Sequence, residues 1–351
     1  MDAIAVYKKL TKKTKIVLMY VKNIIFAPNK MNHNPFSKVR ANLSGGYTAD
    51  QWKLFHMNSR KRKEYLSEFD WYKSRYINEP FDYMLNNKVV ATEVLKDYMH
   101  CPEIYIIKDK GKILDFGDGS QIDYDTCLEI IKSIGEVIIK PHRKGKGNGV
   151  NIIKWEDGSF IFDDKKVGIE VIVDRLEKDN WYISQVIHQH AYAAGLYDKT
   201  VNTIRIITLR NPNTKEIEVF FAVQRTGRKE TIPVDNASKG GVVCKIDLET
   251  GKLSEGRRID SLDVYETHPD SGNQLTGVQV PNWDILKGEV LAAHKKLPYM
   301  ELIAWDVIVN EEGIHYICEA NTSSGINILQ LWGGQKQSAM GDLFRAHGVI
   351  K

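Results

Sequence analysis

The chain has 351 residues, 42 % of them apolar and 27 % charged, with a formal net charge of +4; these are the proportions of an ordinary soluble protein large enough for two or three subdomains. Cys101, Cys127, Cys244 and Cys318 stand far apart with no CxxC pair, which excludes the usual zinc spacings and a disulfide framework. There is no run of eighteen apolar residues and no signal peptide with a cleavage site, so a cytoplasmic protein is expected.

Charge is unevenly placed. Residues 1–40 carry nine lysines and arginines against Asp2 alone, an excess of eight, so the rest of the chain carries −4. Ile4, Tyr7, Leu10, Leu18, Val21 and Ile25 recur at helical spacing until Pro28 and Asn29. A basic amphipathic helix of this kind either lies on an anionic membrane surface, here the inner face of a cytoplasmic membrane, or packs on its own domain with a solvated outer face. Residues 41–84 read as helical and connective, with a capping start at Thr48-Ala49-Asp50-Gln51. The basic cluster 59–63 and the aromatics after it alternate with Glu64, Glu68 and Asp70. That pattern describes a solvated helix face, and no nucleic-acid partner is expected.

Residues 87–98 form a predicted helix, 104–107 and 112–116 a hairpin around Asp109-Lys110-Gly111, and 125–133 a helix. A buried strand over 136–141 ends in Lys140-Pro141. The segment His-Arg-Lys-Gly-Lys-Gly-Asn-Gly-Val follows at 142–150, then a strand over 151–155. Strand, basic glycine-rich turn and strand can lay backbone N–H groups and lysines over phosphates. The turn is neither a Walker A loop nor a dinucleotide fingerprint. Further strands are predicted over 181–188, 200–210, 217–225 and 242–247, and a helix over 283–296. In the strand over 200–210 Arg205 is a charge among apolar neighbours. His188 and His190 form an HxH pair with no third ligand at a recognisable spacing.

The last predicted hairpin joins 302–309 to 314–319 through Asn310-Glu311-Glu312-Gly313. With a loop of two or four residues, Asp306 faces Ile317, and Glu319 and Asn321 share its face. Two carboxylates and an amide oxygen then converge, a hard oxygen set suited to magnesium beside substrate phosphates. A loop of three residues without a compensating bulge sets Asp306 against Cys318 instead.

Taken in order, Lys88, Lys140-Pro141 with its glycine loop, 185–188, Asn202-Thr203-Ile204-Arg205, Arg225, Asn236 with Gly240-Gly241, and Asp306 with Glu319-Ala320-Asn321 resemble the ATP-grasp superfamily. Leu275-Thr276-Gly277, Pro281-Asn282-Trp283 and Ala304-Trp305-Asp306 resemble its sugar-transfer-associated branch. The resemblance covers roughly residues 45–335. It implies an α+β or α/β ATP-grasp fold, two subdomains gripping ATP, behind a helical N-terminal extension. The expected divisions are a basic extension at 1–44, a preceding region at 45–135, a small subdomain with the glycine loop at 136–190 and a large subdomain with the metal site at 191–351.

The resemblance also implies roles. Lys88 and Lys140 bind the α- and β-phosphates, and the loop carrying Lys144, Gly145, Gly147 and Gly149 closes over them. Gln185, Val186, Ile187 and His188 hold adenine, although the first of these positions is commonly glutamate. Asp306, Glu319 and Asn321 hold magnesium, as two ions that manganese can replace. Arg225, Arg205 and Asn236 serve catalysis by neutralising the transferring phosphoryl group and the oxyanion. The implied enzyme is an ADP-forming ligase that converts a carboxylate to an acyl phosphate for attack by an amine, both small molecules, in surface-polysaccharide or related biosynthesis. A kinase acting on a hydroxyl and a nucleotide-binding adaptor without turnover are the alternatives. The oligomeric state has no signature in the sequence.

Overall fold

The structure, a computed structural model, describes residues 3–142, 149–178 and 180–351. Two units divide the chain. The smaller comprises Tyr83–Ala191 and Val307–Ala320, and the larger comprises Met1–Asp82, Tyr192–Asp306 and Asn321–Lys351.

The smaller unit is built on eight strands: β1 (Ile104–Asp109), β2 (Lys112–Asp115), β3 (Gln121–Ile122), β4 (Glu136–Pro141), β5 (Asn151–Glu156), β6 (Ser159–Phe162), β7 (Lys165–Val167) and β8 (Trp181–Gln185). They form one sheet in the order β3-β2-β1-β8-β4-β5-β6-β7, antiparallel throughout. Strand alternation decides which side is core. Val137 and Ile139 of β4 are fully buried with Ile106, Ile153 and Ile183. Leu128 and Ile131 of the helix Tyr124–Ile134 and Ile172 and Leu176 of the helix Ile169–Glu177 cover them. Lys140 therefore leaves β4 on the face away from that core. The buried ammonium of Lys108 donates to Leu176 O (2.7 Å) and Glu177 O (2.8 Å), closing the helix Ile169–Glu177 at its carbonyl end.

Strands β6 and β7 and the helix Ile169–Glu177 have no counterpart among the sequence expectations. Asp157-Gly158 and Asp163-Asp164 take positive φ at both central residues, so β5, β6 and β7 are joined by two-residue turns that match strand twist. The sequence shows a turn signal only in the first of these pairs.

The larger unit contains β9 (Ile204–Arg210), β10 (Ile217–Thr226), β11 (Val242–Ile246), β12 (Leu253–Arg257) and β13 (Val264–Tyr265). The unit division falls within β14 (Leu302–Val309) and before the last residue of β15 (His315–Asn321). The sheet order is β13-β12-β11-β10-β9-β14-β15. On one face Leu209 and Ile207 of β9, Phe221 and Val223 of β10, and Leu302 and Ala304 of β14 make three apolar rows. The helix Ala339–Ala346 packs there through Leu343 and Phe344. Thr208 points to the other face, where its hydroxyl meets His294 Nδ1 at 2.7 Å and Trp305 Nε1 at 2.8 Å. Burial pushes the His294 imidazole down to about 4, so it stays neutral in that contact.

The connective segment is tied to this sheet. Thr48 and Gln51 form the expected capping box at the start of Ala49–Leu54, and Ser67 and Asp70 form a second at Glu68–Ser74. Asn78 then accepts from Glu301 N at 2.8 Å and donates to Leu302 O at 2.7 Å, completing the start of β14.

Candidate active site

The three apolar rows of the larger sheet end in charge. Two residues beyond Ile207 on β9 stands Arg205, two beyond Val223 on β10 stands Arg225, and two beyond Ala304 on β14 stands Asp306. Arg205 and Val223 are cross-strand partners. Side chains two apart share a face, so the rows carry both guanidiniums and the carboxylate to the same end of the core face.

Arg205 grips Asp306 with a forked pair, Nε to Oδ1 and Nη2 to Oδ2, the latter at 2.8 Å. Arg225 Nη2 reaches the same carboxylate at 3.4 Å. Arg225 is in turn oriented from behind. Its Nε donates to Thr203 Oγ1 at 2.9 Å and lies 3.4 Å from Asp235 Oδ2. Thr203 gives Asp235 Oδ2 both its backbone N–H (2.8 Å) and its hydroxyl (2.6 Å). All four charged side chains are at most 14 % exposed. Burial opposes the charge on Arg225, but Asp235 and Asp306 outweigh it and hold the guanidinium above its ordinary value. Two cations and two anions leave the cluster neutral, and charge-assisted bonds satisfy it.

Asn236 does not touch this cluster through the contacts the structure gives it. Its Oδ1 accepts from Ser238 N at 2.8 Å and caps the short turn Ala237–Lys239. The following glycines have separate reasons. Gly240 takes φ +106°, and a Cβ on Gly241 would stand 2.9 Å from the carbonyls of Asp235 and Thr226. The loop can thus fold close to β10 and present Asp235 to Thr203. Asn202 is spent on backbone, donating to Ala193 O and Tyr197 O. Thr203 enters the sequence reading only as a motif letter, and the only signal for Asp235 is its place beside Asn236.

In the smaller unit Lys140 and Tyr182 are cross-strand partners on β4 and β8, and the ammonium lies 5.9 Å from the Tyr182 ring centre. Burial lowers the Lys140 pKa, opposed by the charge of Cys318. Lys88, in the first turn of the helix Lys88–Leu95 capped by Asn87, pairs with Glu319. Gln185 is occupied by its neighbour on the chain's edge: its N–H donates to Glu103 O at 2.8 Å and its Oε1 accepts from Glu103 N at 3.4 Å. Val186 and Ile187 follow β8, with Ile187 buried. His188 Nε2 meets Glu136 at 2.7 Å, which also holds Lys154 at 3.0 Å. Gly149 takes φ +77° and its carbonyl accepts from Arg175 at 2.8 Å. Lys144, Gly145 and Gly147 lie outside the described residues.

The hairpin loop corrects one expectation. Asn310 N–H donates to Ile314 O (2.8 Å) and Gly313 N–H to Asn310 O (2.9 Å), so three residues separate the closing pair. Asn310 Oδ1 accepts from Glu312 N and Ile314 N, and Gly313 sits at φ +82°. A turn followed by a left-handed glycine is the three-residue hairpin, which a four-residue count overlooks. The burial alternation of β15 also changes phase: His315 and Ile317 are buried, then Ala320. The three-residue loop displaces the side-chain count by one relative to an even loop.

As for a divalent cation, no group of three His, Cys, Asp or Glu side chains among the described residues could hold one. The expected set has two carboxylates and an amide, Asp306, Glu319 and Asn321. Each carboxylate carries a protein cation, Arg205 and Arg225 on Asp306 and Lys88 on Glu319. Carboxylate and amide oxygens are the donor type that magnesium takes; Asp306 and Asn321 belong to the larger unit and Glu319 to the smaller.

Solved structures similar to this chain share little sequence with it. N5-carboxyaminoimidazole ribonucleotide synthetase from Thermotoga maritima is 12 % identical over 68 % of this chain and 42 % of that one, with a TM-score of 0.36. D-alanine–D-alanine ligase from Bacillus anthracis, complexed with ATP, is 12 % identical over 68 % and 56 %, with a TM-score of 0.36. The ATP-grasp ligase PsnB, complexed with a precursor variant, Mg and ADP, is 11 % identical over 78 % and 62 %, with a TM-score of 0.41. This chain thus spans less than two thirds of the length of each. No protein of curated function matches the sequence. The sugar-transfer associated ATP-grasp family matches residues 69–340, most of the chain, and the chain belongs to that family and has its ATP-grasp fold.

Proposed function

We propose that the protein is an ATP- and magnesium-dependent, ADP-forming ligase. It phosphorylates a substrate carboxylate and joins the resulting acyl phosphate to an amine, on a sugar-linked or amino-acid substrate of surface-polysaccharide or related biosynthesis. The observation that carries this reading is the pair of buried guanidiniums, Arg205 and Arg225, held on Asp306 at the end of the core face. A carboxylate is a poor acyl donor, and both phosphorylation and amine attack build negative charge on oxygen. Fixed, dry, permanently charged donors stabilise such charge without reorganising.

Roles follow residue by residue. Arg225, oriented by Thr203 and Asp235, and Arg205 neutralise the transferring phosphoryl group and the oxyanion of the tetrahedral adduct. Lys140 and Lys88 bind the α- and β-phosphates; burial lowers the Lys140 pKa, and an incoming anion would oppose that shift. Asp306, Glu319 and Asn321 would hold magnesium, which would supply charge neutralisation during phosphoryl transfer.

The test is phosphate bookkeeping. Pools of uronic acids, nucleotide sugars and amino acids are screened for ADP release, with products identified by mass. The expected result is free phosphate only when an acid and an amine are both present, with a condensed product. Phosphate retained on a hydroxyl product would make the protein a kinase.

A further inference from the structure

The first helix, Ala3–Tyr20, continues through the turn Val21–Ile25, and the helix Pro35–Leu43 follows. Each has an inward and an outward side. Tyr20 and Ile24 turn inward: the Tyr20 ring lies 4.9 Å from Phe69, its hydroxyl donates to Asn42 O at 2.7 Å, and Ile24 is fully buried. The element is therefore docked on its own unit, as one of the two sequence readings expects.

The outward side is not the solvated face that reading also expects. Val17, Leu18, Val21 and Ile25 recur at helical spacing and are exposed, Leu18 by 62 %. Phe36, Val39 and Leu43 form a second outward stripe on the helix Pro35–Leu43, with Phe36 83 % and Leu43 81 % exposed. Phe26 stands between them, 73 % exposed. Lys38 Nζ donates to Ala27 O at 3.0 Å and ties the second helix to the end of the first. Single exposed apolar residues need no explanation, but two neighbouring stripes of them mark an interaction surface.

Charge selects the occupant. Lys15 and Lys22 fall beside the first stripe and Arg40 beside the second, all exposed, within a segment whose basic excess is eight. A second copy seated on this surface would set those cations against their equivalents. No helix of the described residues is long and apolar enough to cross a membrane. An apolar stripe edged by lysines suits the boundary of an anionic bilayer, with side chains entering the acyl region and ammoniums at the phosphates.

We propose that the stripes of residues 17–25 and 36–43 are a peripheral docking surface for an anionic lipid bilayer, holding the enzyme at a membrane surface. The proposal is independent of the reaction assigned above.

The full chain is co-sedimented with phosphatidylcholine vesicles and with vesicles that also contain phosphatidylserine. Partitioning onto the anionic vesicles alone, reduced by salt, is expected. Leu18→Ser with Phe36→Ser should lower the partition coefficient at least about ten-fold. Lys15→Gln with Lys22→Gln should lower it roughly 25-fold at low salt. All four side chains are outside the core, so melting temperatures stay unchanged and confirm that both variants fold. Equal binding to neutral and anionic vesicles, no binding to either, or unchanged partitioning in both variants overturns the proposal. A dimer in solution that Leu18→Ser with Phe36→Ser dissolves also overturns it and assigns the stripes to a second copy.

Discussion

The charged groups of the two units are prepared in opposite ways. In the larger unit Arg205, Arg225, Asp235 and Asp306 neutralise one another, and Arg225 donates to Thr203 between the two carboxylates. In the smaller unit Lys140 is half-buried beside a tyrosine ring and forms no ion pair among the described residues. A neutral cluster costs little to bury and keeps its geometry before substrate arrives. An unneutralised lysine destabilises the empty protein and is relieved by an anion. Under the proposed ligase reading, the larger unit supplies position and the smaller affinity.

The largest expected effect comes from breaking the neutral cluster. Asp306→Asn leaves two buried guanidiniums facing an amide, and should cost about 3 kcal/mol of stability as well as turnover. Glu319→Gln should also abolish turnover, but at under about 1 kcal/mol, because its side chain is 40 % exposed. Chemical denaturation and ADP release measured on both variants check the contrast; equal stability loss would erase the distinction between the units. Turnover near the parent level in both would remove the magnesium assignment.

Position alone is tested by Thr203→Val, which keeps shape but removes the oxygen linking Arg225 to Asp235. We expect kcat to fall about 100-fold with KM for ATP within about two-fold of the parent. A rise in KM with kcat preserved would place Arg225 in nucleotide binding instead.

Affinity is tested through protons. Burial holds the Lys140 pKa below the ordinary lysine value, and bound triphosphate raises it. Nucleotide affinity is therefore full below the free-protein pKa and is lost as pH rises through the bound-state value. Between the two, binding takes up a proton, measurable by calorimetry in buffers of different ionisation enthalpy. Lys140→Ala should abolish the uptake and weaken ATP about ten-fold or more. Lys88→Ala should weaken it less, since that ammonium must first leave Glu319. Uptake persisting without Lys140 would contradict the assignment.

A last contrast concerns a carboxyl with amide partners in place of guanidiniums. Glu68 accepts from Gln51 at 2.9 Å, and burial, eased by Asn327, pushes its pKa up to about 7. The unfolded carboxyl ionises near 4.5. Stability therefore falls as pH climbs from there to about 7 and stays reduced above it. Glu68→Gln should raise stability at alkaline pH by about 2 kcal/mol and leave it nearly unchanged at acidic pH. A pH-independent difference would show that Asp306 and Glu68 do not differ in the way their partners imply.

Much of the fold is legible in residue order. The capping box at Thr48, the strand over 136–141 and the hairpin around Lys110 are local, set by side-chain chemistry a few residues apart. The turns at Asp157 and Asp163 were harder, because the second pair depends on aspartates taking left-handed conformations that sequence alone rarely signals. The hairpin's loop length escaped the sequence for a related reason. Asn310 and Gly313 advertise a turn, but its length depends on which backbone group the Asn310 side chain satisfies.

The ordered motifs, through the resemblance they carry, pointed to the family; composition and strand periodicity by themselves determined the charge of the first forty residues and which strands carry Arg205, Arg225 and Asp306. Those properties are local or additive along the chain. Only the tertiary structure decided that Asp306 is already gripped by two arginines, that Thr203 and Asp235 orient one of them, and that Tyr20 and Ile24 turn inward while Leu18, Phe36 and Leu43 stay exposed. Partners and burial are relations between strands and helices distant in sequence, and they exist only once those elements pack.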